Sequence, residues 1–240
     1  MTQKLTPLQR LVVALDLPSG EEALRMAEIL QGKVGLYKVG LELFCAEGPA
    51  FVRRLQTLGE VFLDLKLHDI PTTVERALEQ LLVLDPRLIN VHAQGGPAML
   101  AAAAGAVERH RARGGRTELL AVTVLTSLDQ QALRAVGHNS APGALALQLA
   151  RLAQDNGCHG VVCSAQEAQE VREACGEAFH RLTPGIRPAG EGAQDQARVM
   201  DPASALRAGS TWLVVGRPIT HAPDPAAAAA SILQSMELAG

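Results

Sequence analysis

The sequence predicts an α/β protein, a single-domain (β/α)8 TIM barrel spanning residues 1–240. Three observations carry that expectation. Eight short apolar runs recur along the chain, helical stretches lie between them, and no linker or shift of composition divides it. The spacing averages roughly 30 residues per unit, the size of one strand–helix repeat.

The elements follow in order. LVVAL (11–15) is a buried strand, and Asp16-Leu17-Pro18-Ser19 ends it before the helical GEEALRMAEIL (20–30). GLYKV (35–39) and VFLDL (61–65) are the next strands, with AFVRRLQTL (50–58) helical between them. TVERALEQLLVL (73–84) leads to the strand LINVH (88–92), and AMLAAAAGAVERH (98–110) leads to LLAVTVL (119–125). ALALQLARLAQDN (144–156) precedes GVVCS (160–164), and AQEAQEVREAC (165–175) precedes RLTPG (181–185). WLVVG (212–216) is the eighth strand, and DPAAAAASILQSM (224–236) is the last helix. The alanine runs are strong helix formers rather than linkers. The alternative architecture is an open doubly wound sheet. It calls for G-x-G-x-x-G after the first strand, which is absent there.

Composition narrows the function. Aromatics make up 2% of the chain, against 48% apolar residues overall, so the core is aliphatic and no stacking platform for single-stranded nucleic acid is expected. A net charge of −3 provides no field for a polyanion. The one basic run, Arg109 to Arg116, reads as a solvated helix end and turn. Cys45, Cys158, Cys163 and Cys175 form no C-x-x-C pair and no zinc spacing, which suits a reducing cytoplasm. The first residues lack a signal-peptide pattern, and no apolar run reaches the roughly 18 residues of a membrane span.

In this fold, chemistry collects at the C-terminal ends of the strands. The first strand ends at Asp16, the second carries Lys38, and the third carries Asp64 and Lys66. Residues two apart share a strand face. Leu63 and Leu65 then face the helices and Asp64 and Lys66 face inward, while Tyr37 and Val39 face out around Lys38. Two lysines and two carboxylates from adjacent strands cancel in charge and can share a half-buried site. The bland reading is an ion-pair network closing the barrel mouth; the functional reading is a catalytic array. Asp69, before Pro71, reads equally as a helix cap or a functional group, with His68 and Thr73 beside it. His92 and Ser164 read as hydrogen-bonded residues of the barrel mouth, and no residue cluster calls for a metal.

A second group suits phosphate. Barrels often bind it with the loops after the seventh and eighth strands. Those loops hold Thr183-Pro184-Gly185-Ile186-Arg187, a segment with Gln194 and Gln196, and Gly216-Arg217. Arginine forks grip phosphate in a planar, two-point fashion. Solvated loop charges are the bland alternative.

FLDLKLHDIP, preceded by VALD and YKVG and followed by VTVLTS, TPGIRP and VVGRPIT, resembles the orotidine 5'-phosphate decarboxylases of bacterial type. The likeness runs from about Leu11 to Ile219. It implies decarboxylation of orotidine 5'-phosphate to UMP without metal or cofactor, the last step of de novo UMP synthesis. By that resemblance Asp64 and Lys66 lie at the scissile carboxylate, with Lys66 giving the proton to C6. Lys38 joins Asp64 to the ribose, and Asp16 binds a ribose hydroxyl. Asp69 and Thr73 enter the neighbouring active site of a homodimer. Thr126, with Ser127 as an additional candidate, meets the pyrimidine edge. Pro184, Arg187, Gln196, Gly216 and Arg217 surround the phosphate. Related bacterial sequences read AGDQ where this chain has Ala193-Gln194-Asp195-Gln196, so Gln194 stands as the alternative to Gln196. The scarcity of rings then implies a pyrimidine held by edge hydrogen bonds and aliphatic walls.

Three competing readings remain at this level. A sugar-phosphate decarboxylase of similar pattern uses a second-strand Glu for Mg2+, where Lys38 stands here. A Schiff-base aldolase would use Lys66 as nucleophile. A non-catalytic barrel would bind UMP without turnover.

Overall fold

The computed structural model describes residues 5–188 and 199–238. Eight parallel strands close into one barrel in sequence order. They are β1 (Leu11–Ala14), β2 (Leu36–Gly40), β3 (Glu60–Leu67), β4 (Leu88–His92), β5 (Glu118–Val122), β6 (Gly160–Val162), β7 (His180–Thr183) and β8 (Trp212–Val215). Pairing of Leu11 with Leu213 and Val13 with Val215 seals the ring between β1 and β8.

Helices cover the outside. In order they are α1 (Pro7–Arg10), α2 (Gly20–Leu30), α3 (Leu41–Leu55), α4 (Pro71–Leu82), α5 (Gly96–Arg111), α6 (Gln130–Ala135), α7 (Pro142–Asp155), α8 (Ala168–Cys175), α9 (Pro202–Arg207), α10 (Arg217–Thr220) and α11 (Pro225–Glu237). Most of their starts are legible in the residues: Ser19, Asp129, Asp201 and Asp224 each accept an N–H of the first helical turn. Prolines open several others.

Strand alternation divides the apolar residues into two layers. Val12, Leu36, Phe62, Leu88, Leu120, Val162, Leu182 and Trp212 fill the barrel interior. Their neighbours Leu11, Val13, Tyr37, Val39, Leu63 and Ile89 pack against the helices. The inward and outward assignments expected for the second and third strands are therefore those observed.

The elements differ from expectation at several places. The stretch expected helical from residue 50 belongs to a longer α3, which starts at Leu41 and breaks at Gly48, where φ is 68°. A left-handed residue favours glycine, and Pro49 begins the second segment. The short α6 and α9 have six residues each, too few to show a helical period in sequence. The run Leu119–Leu125 ends as a strand at Val122.

The basic run is a helix end and turn. Arg109 on α5 meets Glu75 at 2.7 Å and Glu79 at 3.0 Å on α4. All four cysteines are free; Cys158, Cys163 and Cys175 are buried, and burial pushes the Cys158 thiol up to about 12.

Candidate active site

The C-terminal mouth of the barrel opens on a cavity of about 470 Å³. Asp16, Lys38, Asp64, Lys66, Thr126, Pro184, Arg187, Gly216 and Arg217 all line it. The site thus unites residues from β1, β2 and β3 with the loops after β5, β7 and β8.

The charged residues form one chain. Lys38 Nζ donates to Asp16 Oδ1 at 2.9 Å and lies 3.5 Å from Asp64 Oδ2. Lys66 Nζ donates to Asp64 Oδ1 at 2.7 Å. Lys38 is buried, while Asp16 stands at the exposed rim. The Lys66 side chain is 38% exposed and faces the cavity. Gly40 makes room for this chain, because a Cβ there would lie 3.0 Å from both Asp16 Oδ1 and Lys38 Nζ. Burial alone would raise the Asp64 carboxyl. Lys38, Lys66 and the hydrogen bonds from Lys66 and Asn90 outweigh it and hold the group below the ordinary carboxylate range. Asp64 is therefore an anion at neutral pH.

Asp64 and Lys66 meet by a route that plain alternation does not describe. The β3–β4 register jumps from Leu63↔Ile89 to Leu67↔Val91, so β3 bulges between them. Lys66 lies in that bulge at φ 50°, a conformation that costs a residue with a side chain about 1–2 kcal/mol. Asn90, fully buried on β4, bonds both residues. Sequence reading did not single out Asn90. The signal was present, since it shares an inward face with Leu88 and His92 in LINVH.

Arg187 is buried, and Arg217 is half-buried at the start of α10. The chain returns after β7 by a bridge in which Arg187 N–H donates to the Met200 carbonyl at 3.1 Å. Gln194 and Gln196 lie outside the described residues. At Gly216 a Cβ would meet only Ala14 Cβ, at an ordinary 3.6 Å, so packing does not demand glycine there. Thr126 shares the cavity lining with the apolar Val122, Val124, Leu125, Val162, Leu182 and Phe62.

Asp69 and Thr73 are not brought to this cavity. Both are exposed, next to Ile70, itself 67% exposed. Asp69 accepts the Ile70 N–H at 2.6 Å, and α4 has no side-chain cap, so the helix-cap reading of Asp69 does not hold. Ser127 is exposed and outside the lining residues. Ser164 is buried, and its N–H donates to Glu167 Oε2 at 2.9 Å. His92 stacks on His68 with ring centroids 5.3 Å apart. Burial, with His68 and Lys66 nearby, pushes its pKa down to about 4. Among the described residues, no three His, Cys, Asp or Glu side chains are grouped to hold a metal ion, and no helix is long and apolar enough to cross a membrane.

A closed parallel barrel with alternating lysines and aspartates in the cavity at its C-terminal mouth has the architecture of a TIM-barrel enzyme. The chain belongs to the Orotidine 5'-phosphate decarboxylase / HUMPS family, whose profile matches residues 9–232. It is 51% identical over 223 residues to the orotidine 5'-phosphate decarboxylase of Chromohalobacter salexigens, covering 92% of this chain and 93% of that one. It is 51% identical over 229 residues to that of Anaeromyxobacter sp., covering 95% and 98%. Among solved structures, the orotidine 5'-phosphate decarboxylase of Lactobacillus acidophilus superposes with a TM-score of 0.84 at 36% identity, covering 94% of this chain and 98% of the other.

Proposed function

We propose that this protein decarboxylates orotidine 5'-phosphate to UMP, the last step of de novo UMP synthesis, in the cytoplasm, with no metal and no cofactor. One observation carries the reading: the Lys66 ammonium, fixed 2.7 Å from the Asp64 carboxylate, shares a cavity with Arg187 and Arg217. The relatives' activity supports it.

The chemistry explains why charges are needed. Breaking the C6–carboxylate bond releases CO2 and leaves the electron pair in the ring plane at C6, where ordinary delocalisation does not reach it. The Lys66 ammonium stabilises that carbanion, then its N–H breaks as a C6–H bond forms, and water reprotonates the amine. One such charge pair at 4 Å gains about 4 kcal/mol at an effective dielectric near 20. That is about three powers of ten in rate. The rest falls to preorganisation: mutual pairing of Lys38, Asp64 and Lys66 fixes these charges in place, so that little reorganisation is needed as the carbanion forms.

The remaining roles follow from position. Asp16 at the rim binds a ribose hydroxyl, and the buried Lys38 links Asp64 to the ribose. Thr126 meets the pyrimidine edge beside the aliphatic wall. Pro184, Arg187, Gly216 and Arg217 enclose the phosphate, and the family resemblance adds Gln196, or Gln194 as its alternative. Phosphate binding far from C6 helps to hold the reacting end in place. Asp69 and Thr73 serve the neighbouring site of a homodimer. Both are exposed and outside their own cavity, which leaves them accessible to a second subunit. Lys38 in place of a second-strand carboxylate speaks against the Mg2+-dependent sugar-phosphate reading.

Mixing the purified protein with orotidine 5'-phosphate and EDTA tests the function. Loss of substrate absorbance with formation of UMP is expected, and no decay would sink the proposal. Activity that vanishes with EDTA and returns with Mg2+ would overturn the metal-free reading. For the shared site, inactive Lys66→Ala mixed with inactive Asp69→Ala should recover activity. No recovery in proven heterodimers would place Asp69 within its own subunit's chemistry.

A further inference from the structure

Asn90 is wholly buried inside the barrel mouth, and its amide joins two groups of the charged array. Its Nδ2 donates to Asp64 Oδ1 at 2.7 Å. Its Oδ1 accepts the backbone N–H of Lys66 at 2.8 Å. Asp64 Oδ1 also accepts from Lys66 Nζ, so side chain, backbone and carboxylate close a ring through one amide. The partners fix the amide's orientation, since a backbone N–H can only give and this carboxylate only accept.

That ring sits where the strand ladder is interrupted. Between Leu63 and Leu67 the β3–β4 pairing skips, and Lys66 takes its left-handed conformation at φ 50°. The Asn90 side chain supplies the Lys66 N–H with a buried acceptor there. An amide suits the position because it combines donors and an acceptor in one group and adds no charge. A carboxylate would face Asp64 with like charge, and an alanine would leave the Lys66 N–H and one Asp64 contact unmet.

We infer that Asn90 is the positioning residue of the reaction: it locks the β3 bulge that aims Lys66 and fixes the Asp64 carboxylate against it. The inference rests on the decarboxylase reading above. Asn90 touches no reacting atom and acts through Lys66 and Asp64.

The test compares wild type, Asn90→Ala and Asn90→Asp for kcat and KM across pH, with UMP affinity and thermal melting measured on each. Asn90→Ala should lose on the order of 10²-fold in kcat, the scale of a misplaced catalytic group. Its KM and UMP affinity should change little. Asn90→Asp keeps the acceptor for Lys66, and when protonated it also donates to Asp64. Two touching carboxyls share one proton, which raises the apparent pKa of the pair. Its kcat relative to wild type should therefore recover as pH falls, while that of Asn90→Ala stays flat. A merely structural asparagine would give no such pH-dependent recovery. Wild-type kcat in a folded Asn90→Ala overturns the inference, and so does an equal, pH-independent loss in both variants. If Asn90→Ala does not fold, the pH profile of Asn90→Asp decides alone. If neither folds, Asn90 is structural and the inference fails. Absence of turnover in wild type would instead defeat the decarboxylase reading, and this inference with it.

Discussion

At the N-terminal floor of the barrel, Glu118 sits between Arg87 at 3.1 Å and His180 at 3.3 Å, with His180 tilted against the buried Trp212. At the C-terminal mouth, Asp64 sits between Lys38 and Lys66 at 3.5 and 2.7 Å. Both carboxylates are desolvated, and both are held ionised by two basic partners. Burial would raise Glu118, yet His180 and Arg87 bring it down to about 2. The difference lies in what the cations face. Arg87 stacks over the Trp212 ring at 5.8 Å, whereas Lys66 opens on a cavity. An ion-pair network at the floor closes a barrel. A similar network at the mouth, with one cation left facing open space, is ready to act on a ligand. Ionic pairing alone therefore does not mark a catalytic group; access does.

Substitutions at the two ends should separate these roles. The largest effect is expected for Lys66→Ala, which should lower kcat by about three powers of ten or more, while UMP binding stays detectable by calorimetry. Near-normal turnover would refute the proton-donor role. Arg187→Ala removes a charge-assisted contact expected to hold phosphate. It should raise KM by roughly 10–100-fold, read from initial rates. An unchanged KM would make Arg187 part of the scaffold, like the arginine at the floor.

Glu118→Gln should leave kcat near wild type and change stability instead. The Glu118 pKa is depressed from its ordinary 4.5 to about 2 on folding. Its charge therefore stabilises the fold above about pH 4.5, and that contribution fades as pH falls towards 2. The pH-dependent part is on the order of 3 kcal/mol. Denaturant unfolding from pH 6 to 2 should show that slope in wild type and not in the variant. A large loss of kcat in Glu118→Gln would erase the distinction between the two ends. A pH effect of the same order concerns His92, held neutral down to about pH 4. An unfolded histidine gains its proton near 6.5, so the fold loses some stability as pH falls from 6.5 to 4. His92→Asn should flatten that part of the stability profile, and an unaltered slope would contradict it.

Much of this was readable from residue order. The eight strands, the two apolar layers and the convergence of Asp16, Lys38, Asp64 and Lys66 follow from a period of two and from the barrel's polarity. The bulge at Lys66 was not readable, because a left-handed lysine has no signature in composition and its support comes from Asn90, 24 positions away. Asn90 itself hides among apolar neighbours, where one polar residue resembles any satisfied core group. The break in α3 was marked by Gly48-Pro49, but Leu41–Glu47 has too few turns to show a helical period. Asp69 and Thr73 are exposed and outside the cavity, so local patterning carries no sign of the shared-site role proposed for them; only the family resemblance suggests it.

The most direct measurement is the turnover of orotidine 5'-phosphate by wild type in D2O, with the product read by NMR. Protonation of a C6 carbanion by the exchangeable Lys66 ammonium predicts UMP carrying one deuterium at C6. Product with protium at C6, or no UMP at all, would contradict the account.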